Sequence, residues 1–157
     1  MAMRTVRIRD IEPCQTNIQI RVSVCRRWES KKYKPVEKNE GLQFILVDEM
    51  NDAIHGFIRQ GNCELLASNI VQGNIYEISR FFTSYSQPGY KIVPHPAQIH
   101  ITGKTIIKHI PELPASIPLH RFYLIDYSLL ASRSKKEILS DIFGRIKIIQ
   151  PPEETDI

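Results

Sequence analysis

The chain has 157 residues and a mass of 18.2 kDa, room for one domain of ordinary size plus a small appendage, and its 42% hydrophobic residues suffice for a core. A formal net charge of +4 permits an anionic partner without demanding one. Cys14, Cys25 and Cys63 lie far apart with no CxxC, which argues against zinc and against a disulfide framework; the N-terminal MAMRTVRIRD lacks the apolar segment of a signal peptide, and no apolar run is long enough for a membrane helix. The expectation is a soluble, intracellular protein with no membrane partner.

Residues Met1 to Cys14 mix arginines with Val6, Ile8 and Ile11 and end near Pro13, which breaks a regular ladder, so they read as a short lead-in. Ile18, Ile20, Val22 and Val24 alternate with polar residues, and this first core strand runs into Arg26, Arg27 and Trp28. ESKKYKPVEKNE, from Glu29 to Glu40, has no apolar period and reads as a mobile basic loop.

The stretch GLQFILVDEMNDAIHGFIRQG, from Gly41 to Gly61, predicts an antiparallel hairpin. Leu42, Phe44 and Leu46 alternate with Gln43, Ile45 and Val47; the turn-forming run Asp48 to Asp52 follows, and Ile54, Gly56 and Ile58 resume the period of two. The other face of the second strand carries His55, Phe57 and Arg59, a ring between two groups able to hold positive charge. That face is the candidate contact with nucleic acid.

Asn62 stands where a helix N-cap would, with Leu65, Leu66 and Ile70 on one side and Gly73 after them, so one short helix is expected. Ile75 to Tyr85 then reads as one strand, the SQPG turn at Ser86 to Gly89 leads to a partner strand over Tyr90 to Val93, and Gln98 to Lys108 forms the last strand. Pro111, Pro114 and Pro118 predict an extended linker. Beyond it, Ser134 to Phe143 is spaced like a short helix, Arg145 to Ile149 like a strand, and PPEETDI reads as disordered.

The predicted fold class is therefore all-β with one short helix. A five-stranded barrel with a helix between its third and fourth strands is the oligonucleotide/oligosaccharide-binding (OB) architecture. The motifs IEPCQTNIQIRVSVCRRW, LQFILVDEMNDAIHG, GNIYEISRFFTSY and YKIVPHPAQIHITGKT, in that order, resemble the first single-strand-binding OB domain of the replication protein A large subunit, especially its plant-type relatives. The tail FYLIDYSLLASRSKKEILSDIFGRI resembles the linker and opening strand leading into that subunit's next OB domain. The resemblance implies an OB domain over residues 1–110, followed over 111–157 by a linker, a short helix, the opening strand of a second OB domain and a disordered end.

It also implies a nuclear protein of DNA replication, repair or recombination, with single-stranded DNA as ligand, RNA sharing the same groove physics, and other replication protein A subunits as partners. In such a groove bases stack on rings while Arg and Lys hold phosphates. By resemblance, Arg26 and Trp28 are contacts at the end of the first strand, and Lys32 is a further basic contact. The family's basic contact on the third strand falls at His55. Its stacking ring falls near Arg59, where this chain has none, so Phe57 substitutes or Arg59 stacks by its guanidinium plane. Tyr90 matches the second stacking ring and Gln98 a polar contact, while Lys91 is expected to face solvent. No cofactor is implied. His95 and His100, five apart on a strand, read as unrelated surface histidines; with no Gly-rich phosphate loop, GxSxG or paired catalytic carboxylates, the chain reads as a non-enzyme. The competing expectation is a protein-interaction OB domain whose groove takes a peptide or partner subunit.

Overall fold

The structure, a computed structural model, describes residues 3–32, 36, 38–88, 91–111, 117–118, 121, 124, 128–129 and 139–153. Its spine is β2 (Ile18–Lys32), with a short β1 (Arg4–Thr5) parallel to it and an antiparallel meander into β3 (Lys38–Val47) and β4 (Ala53–Arg59). Helix α1 (Gln60–Leu66) follows β4 directly, then come β5 (Ile75–Ser79), β6 (Phe82–Tyr85), β7 (Ala97–Ile101) and β8 (Ile106–His109). The strands lie in the order β6-β7-β4-β3-β2-β5-β8.

That order forces the sheet to curl. β5 and β6 stand at opposite ends of the six-strand path β6-β7-β4-β3-β2-β5, yet only Arg80 and Phe81 separate them in sequence. So short a link reaches no more than about 11 Å, and the two ends must meet, closing a barrel. The strand expected over Ile75 to Tyr85 is thus one line bent at Arg80, whose φ of 56° is left-handed and breaks the ladder. Its first half pairs with β2 and its second with β7. With β5 and β6 counted as one, β2, β3, β4 and β7 complete the five strands of the OB barrel, and α1 lies between the third and fourth as expected.

The strand expected over Gln98 to Lys108 breaks in the same way. β7 pairs with β4 and β6, a turn at Thr102–Thr105 intervenes, and β8 pairs with β5. Both breaks meet at one corner, where Thr105 Oγ1 donates to the Arg80 carbonyl at 3.2 Å.

A β-bulge decides which residues of β2 face outward. Ile18, Ile20, Val22 and Val24 point into the core and are at most 5% exposed. The register then slips between Val24 and Arg26, so that Cys25 is the extra residue. Without the slip, continued alternation would drive Arg26 and Trp28 inward; with it they pair with Ile45 and Gln43 and face out. Arg27 takes the inward parity and donates from Nη1 to the Ile70 carbonyl at 2.6 Å.

The core joins the inner faces of all five strands: Phe44, Leu46, Ile54, Ile58, Ile78 and Ile99 are essentially inaccessible, and Leu66 and Ile70 close one end. Gly56, cross-strand from Phe44, makes room for its ring, since a Cβ there would lie 3.3 Å from Leu46 Cδ1 and 3.7 Å from Phe44. The lead-in is part of this core: Ile8 is fully buried, its amide donating to Asp48 Oδ2 at 2.8 Å and its carbonyl receiving His95 Nε2 at 2.7 Å. Asp48 also accepts from the amides of Met50 and Asp52, which shapes the expected Asp48 to Asp52 turn.

Other expectations change. The helix begins at Gln60, so Asn62 lies inside it rather than capping it. The basic loop is shorter than Glu29 to Glu40, because β2 runs to Lys32 and β3 starts at Lys38, held by the backbone ladder where apolar periodicity is missing. No strand forms over Lys91 to Val93; β6 pairs instead with β7 across a longer loop. Beyond Ile110, described residues of the expected linker touch the barrel: Ile117 is buried, Ser23 Oγ donates to the Pro118 carbonyl, and the Arg121 amide donates to Cys25 Sγ at 3.2 Å. Most of the helix expected over Ser134 to Phe143 lies outside the described residues, and 139–143 are not helical. Arg145 to Ile149 form no strand, having no partner strand among the described residues, and Ile146, Ile148 and Ile149 stand exposed.

Candidate nucleic-acid interface

The outer face of the barrel carries rings and polar groups where the inner face carries aliphatics. One cross-strand rung reads Trp28, Gln43, Phe57, His100 and Phe82 through β2, β3, β4, β7 and β6; the next reads Arg26, Ile45, His55, Gln98 and Ser84. Because side chains alternate along each strand, both rungs present the same face. The rings are in contact order. Trp28 lies parallel to His55 with centroids 6.3 Å apart and 6° between planes. Phe57 meets His100 edge-on at 6.4 Å, and His100 stacks on Phe82 at 4.6 Å and 3°.

At the β2 end of this face, the loop before β7 folds over the sheet and encloses a groove of about 430 Å³, walled by Arg26, Trp28, His55, Lys91, Ile92 and Leu139 among others. Its floor is apolar, with Ile45 and Val93 packed beside Cys25 and Val47. Arg26 Nη2 pairs with Asp141 Oδ1 at 2.9 Å, and the Leu139 amide donates to the Lys91 carbonyl at 2.6 Å. A short piece of the chain's own C-terminal region therefore sits on the groove edge, with a carboxylate on the arginine.

The histidines do not supply charge. Burial, and secondarily the nearby His100, pushes His55 down to about 4, and its Nε2 lies 2.6 Å from Gln43 Oε1. Burial followed by the repulsion of Arg59 likewise lowers His100, whose Nε2 sits 2.7 Å from Ser84 Oγ and 3.3 Å from Gln98 Nε2. Both are neutral rings near pH 7, so the expectation of a cationic contact at His55 gives way to an aromatic one. The positive charge of the face comes from Arg26 and Arg59, with Lys91 on the groove wall.

Of the residues expected from the sequence, Arg26, Trp28, His55, Phe57, Arg59 and Gln98 share this face. Tyr90 lies outside the described residues, as does the Lys32 side chain. Lys91, expected toward solvent, walls the groove. His95 is buried, receiving the Ala97 amide at Nδ1 while Nε2 meets the Ile8 carbonyl, so it is part of the framework rather than a surface residue. His100 and Phe82 are missed by sequence reasoning. Their signal is the alternation Phe82, Ser84 and Gln98, His100, which becomes readable only once β7 is known to pair in parallel with β4.

The chain belongs to the family described as Domain of unknown function DUF223, whose pattern it matches over residues 9–128. No curated protein matches it in sequence. Among solved structures it is similar to an OB domain from Methanosarcina mazei, with TM-score 0.54 and 20% identity over 74% of this chain and 92% of the other. A replication protein A heterotrimer bound to single-stranded DNA gives TM-score 0.62 and 14% identity, covering 82% of this chain and 30% of that one. DNA-binding domain A of replication protein A from Saccharomyces cerevisiae gives TM-score 0.52 and 14% identity over 71% and 99%. At such identities the likeness establishes the OB fold.

Proposed function

We propose that this chain is a single-stranded DNA-binding OB module, a non-enzyme acting in nuclear DNA replication, repair or recombination alongside other subunits of the replication protein A kind. The observation that carries this reading is the ring-bearing rung on the outer face, Trp28, Phe57 and His100, bordered by Arg26 and Arg59. Bases would stack on the rings without sequence preference, and phosphates would run past the cations. Similarity to OB domains described as DNA-binding or bound to single-stranded DNA supports it. Neutral His55 and His100 suit it too, since an uncharged ring in a half-buried site offers a π-face without a desolvated charge.

The test is a fluorescence-anisotropy titration with oligo(dT), oligo(rU) and duplex at two salt concentrations. Single strands should be preferred, with log affinity falling against log salt by about 0.7 per phosphate neutralised. Equal affinity for duplex, or binding indifferent to salt, overturns the reading. One observation favours the alternative of a peptide-binding groove: Leu139 and Asp141 already seat polypeptide on Lys91 and Arg26. That alternative predicts that a peptide spanning residues 139–143 added in trans binds a chain lacking them, while oligonucleotides do not.

A further inference from the structure

A second recess lies outside the groove, at the barrel corner where β5 turns into β6 and β7 into β8. Arg80, Phe82, Thr102, Lys104, Thr16 and Asn17 line it, and it holds about 580 Å³. Its lining has two cations and no carboxylate, in a chain whose charges elsewhere on the barrel are often paired, as Arg9 is with Asp52 and Arg21 with Glu77. The corner is built, not incidental. The left-handed Arg80 ends β5, the Thr102–Thr105 turn ends β7, and the Thr105 hydroxyl ties the two breaks together, so Arg80 and Lys104 are held on adjoining turns.

Phe82 joins this recess to the outer face. One side of its ring stacks on His100, the last member of the aromatic rung, and the ring also lines the recess and is 41% exposed. We infer that a single strand bound on the outer face continues past Phe57 and His100 onto Phe82, and that the phosphates of these further nucleotides are held by Arg80 and Lys104 in the corner recess. The inference rests on the proposed function and extends its site. From β2 to β6 the rung crosses four inter-strand steps, about 19 Å at the usual spacing, the length of on the order of five nucleotides at about 3.4 Å each, within the roughly 4 to 16 nucleotides an OB fold covers. A phosphate-bearing strand is the occupant that fits, because the recess sets two cations, Arg80 and Lys104, beside the exposed Phe82 ring and carries no carboxylate.

The test compares oligo(dT) of about 4 and about 12 nucleotides, one at the lower bound and one well inside the usual range for one OB fold, on the full chain and two variants. Phe82→Ala should weaken the longer oligonucleotide about tenfold, the order expected for one lost stacking ring, and leave the shorter one within about twofold. Arg80→Asn combined with Lys104→Gln keeps a residue tolerant of left-handed φ at position 80 and should lower the salt slope on the longer oligonucleotide alone by about 0.7 per phosphate contact removed. Thermal melts of both variants confirm that they are folded. If the wild-type chain binds both lengths and neither variant differs from it, or if each variant weakens both lengths alike, the extension is overturned while the groove reading stands. If the wild-type chain binds neither length, the proposed function falls and this inference with it.

Discussion

The two faces of β4 differ in what they do with the same backbone. Inward, Ile54, Gly56 and Ile58 are sealed in the core, with Gly56 leaving space for the Phe44 ring. Outward, His55 and Phe57 are half-buried among rings and amides, and Arg59 is exposed. Aliphatic side chains on the inner face reach complete burial because they need no partners. On the outer face every polar tip is met, His55 by Gln43 and His100 by Ser84 and Gln98, while ring surface remains open to a ligand. The difference teaches that β4 carries stability on its even-numbered residues and the proposed recognition on its odd-numbered ones, and that the two properties should respond separately to substitution.

The largest effect is expected on the inner face. Phe44→Ala should cost about 3 to 5 kcal/mol of folding stability, as ring truncations in cores do, measurable by urea unfolding; a loss below about 1 kcal/mol would mean that the inner face is not the stabilising one. Next comes the pH dependence of stability. His55 in the folded chain titrates at about 4, below its unfolded value near 6.5, so between these pH values the unfolded state binds more protons. Stability is therefore complete above about 6.5 and declines as pH falls toward about 4, by on the order of 2 to 3 kcal/mol. His55→Gln should flatten that decline, and an unchanged pH profile in this variant would show that His55 is not its source.

On the outer face, Trp28→Ala and Phe57→Ala should each weaken single-strand binding by about 1 to 3 kcal/mol with a smaller change in stability. The reverse pattern, unchanged binding with a sharply lowered melting temperature, would make these rings core and erase the contrast between the faces. The smallest effect concerns Asp141, whose carboxylate holds Arg26. Asp141→Asn should raise single-strand affinity severalfold at low salt, within the roughly 1 kcal/mol of a partly exposed ion pair; a decrease would place Asp141 among the groups that support the groove.

Much of this was legible in the sequence. Strict alternation at Leu42 to Val47 and Ile54 to Arg59, split by an Asp-rich turn, led to the central hairpin and to the outer trio His55, Phe57 and Arg59. The bend at Arg80 is not legible, because nothing in Ile75 to Tyr85 interrupts the β-forming composition and closure of the barrel imposes it; the bend at Thr102–Thr105 does have a signal, Gly103, which reading Gln98 to Lys108 as one strand passes over. The neutrality of His55 near pH 7 is not legible, because protonation depends on burial, which a single strand's pattern does not reveal. Phe82 and His100 escaped notice because they become neighbours only through the pairing of β6, β7 and β4. The contacts of Ile117, Pro118 and Arg121 with the barrel were hidden by prolines that, read locally, suggest a free linker.

The bulge at Cys25 makes β2 a strand written in two reading frames. Upstream of it, even-numbered residues face the core; downstream, the even-numbered Arg26 and Trp28 face outward. Deleting Cys25 would therefore join the two frames into one regular strand, with Val24 still inward opposite Leu46 and Arg26 and Trp28 still outward opposite Ile45 and Gln43. The frameshift in space comes from the opposite change, a β2 that keeps Cys25 in regular alternation, which would send Arg26 and Trp28 toward the core and turn Arg27 outward. What the extra residue adds is local: a bend in β2, and the thiol that receives the Arg121 amide.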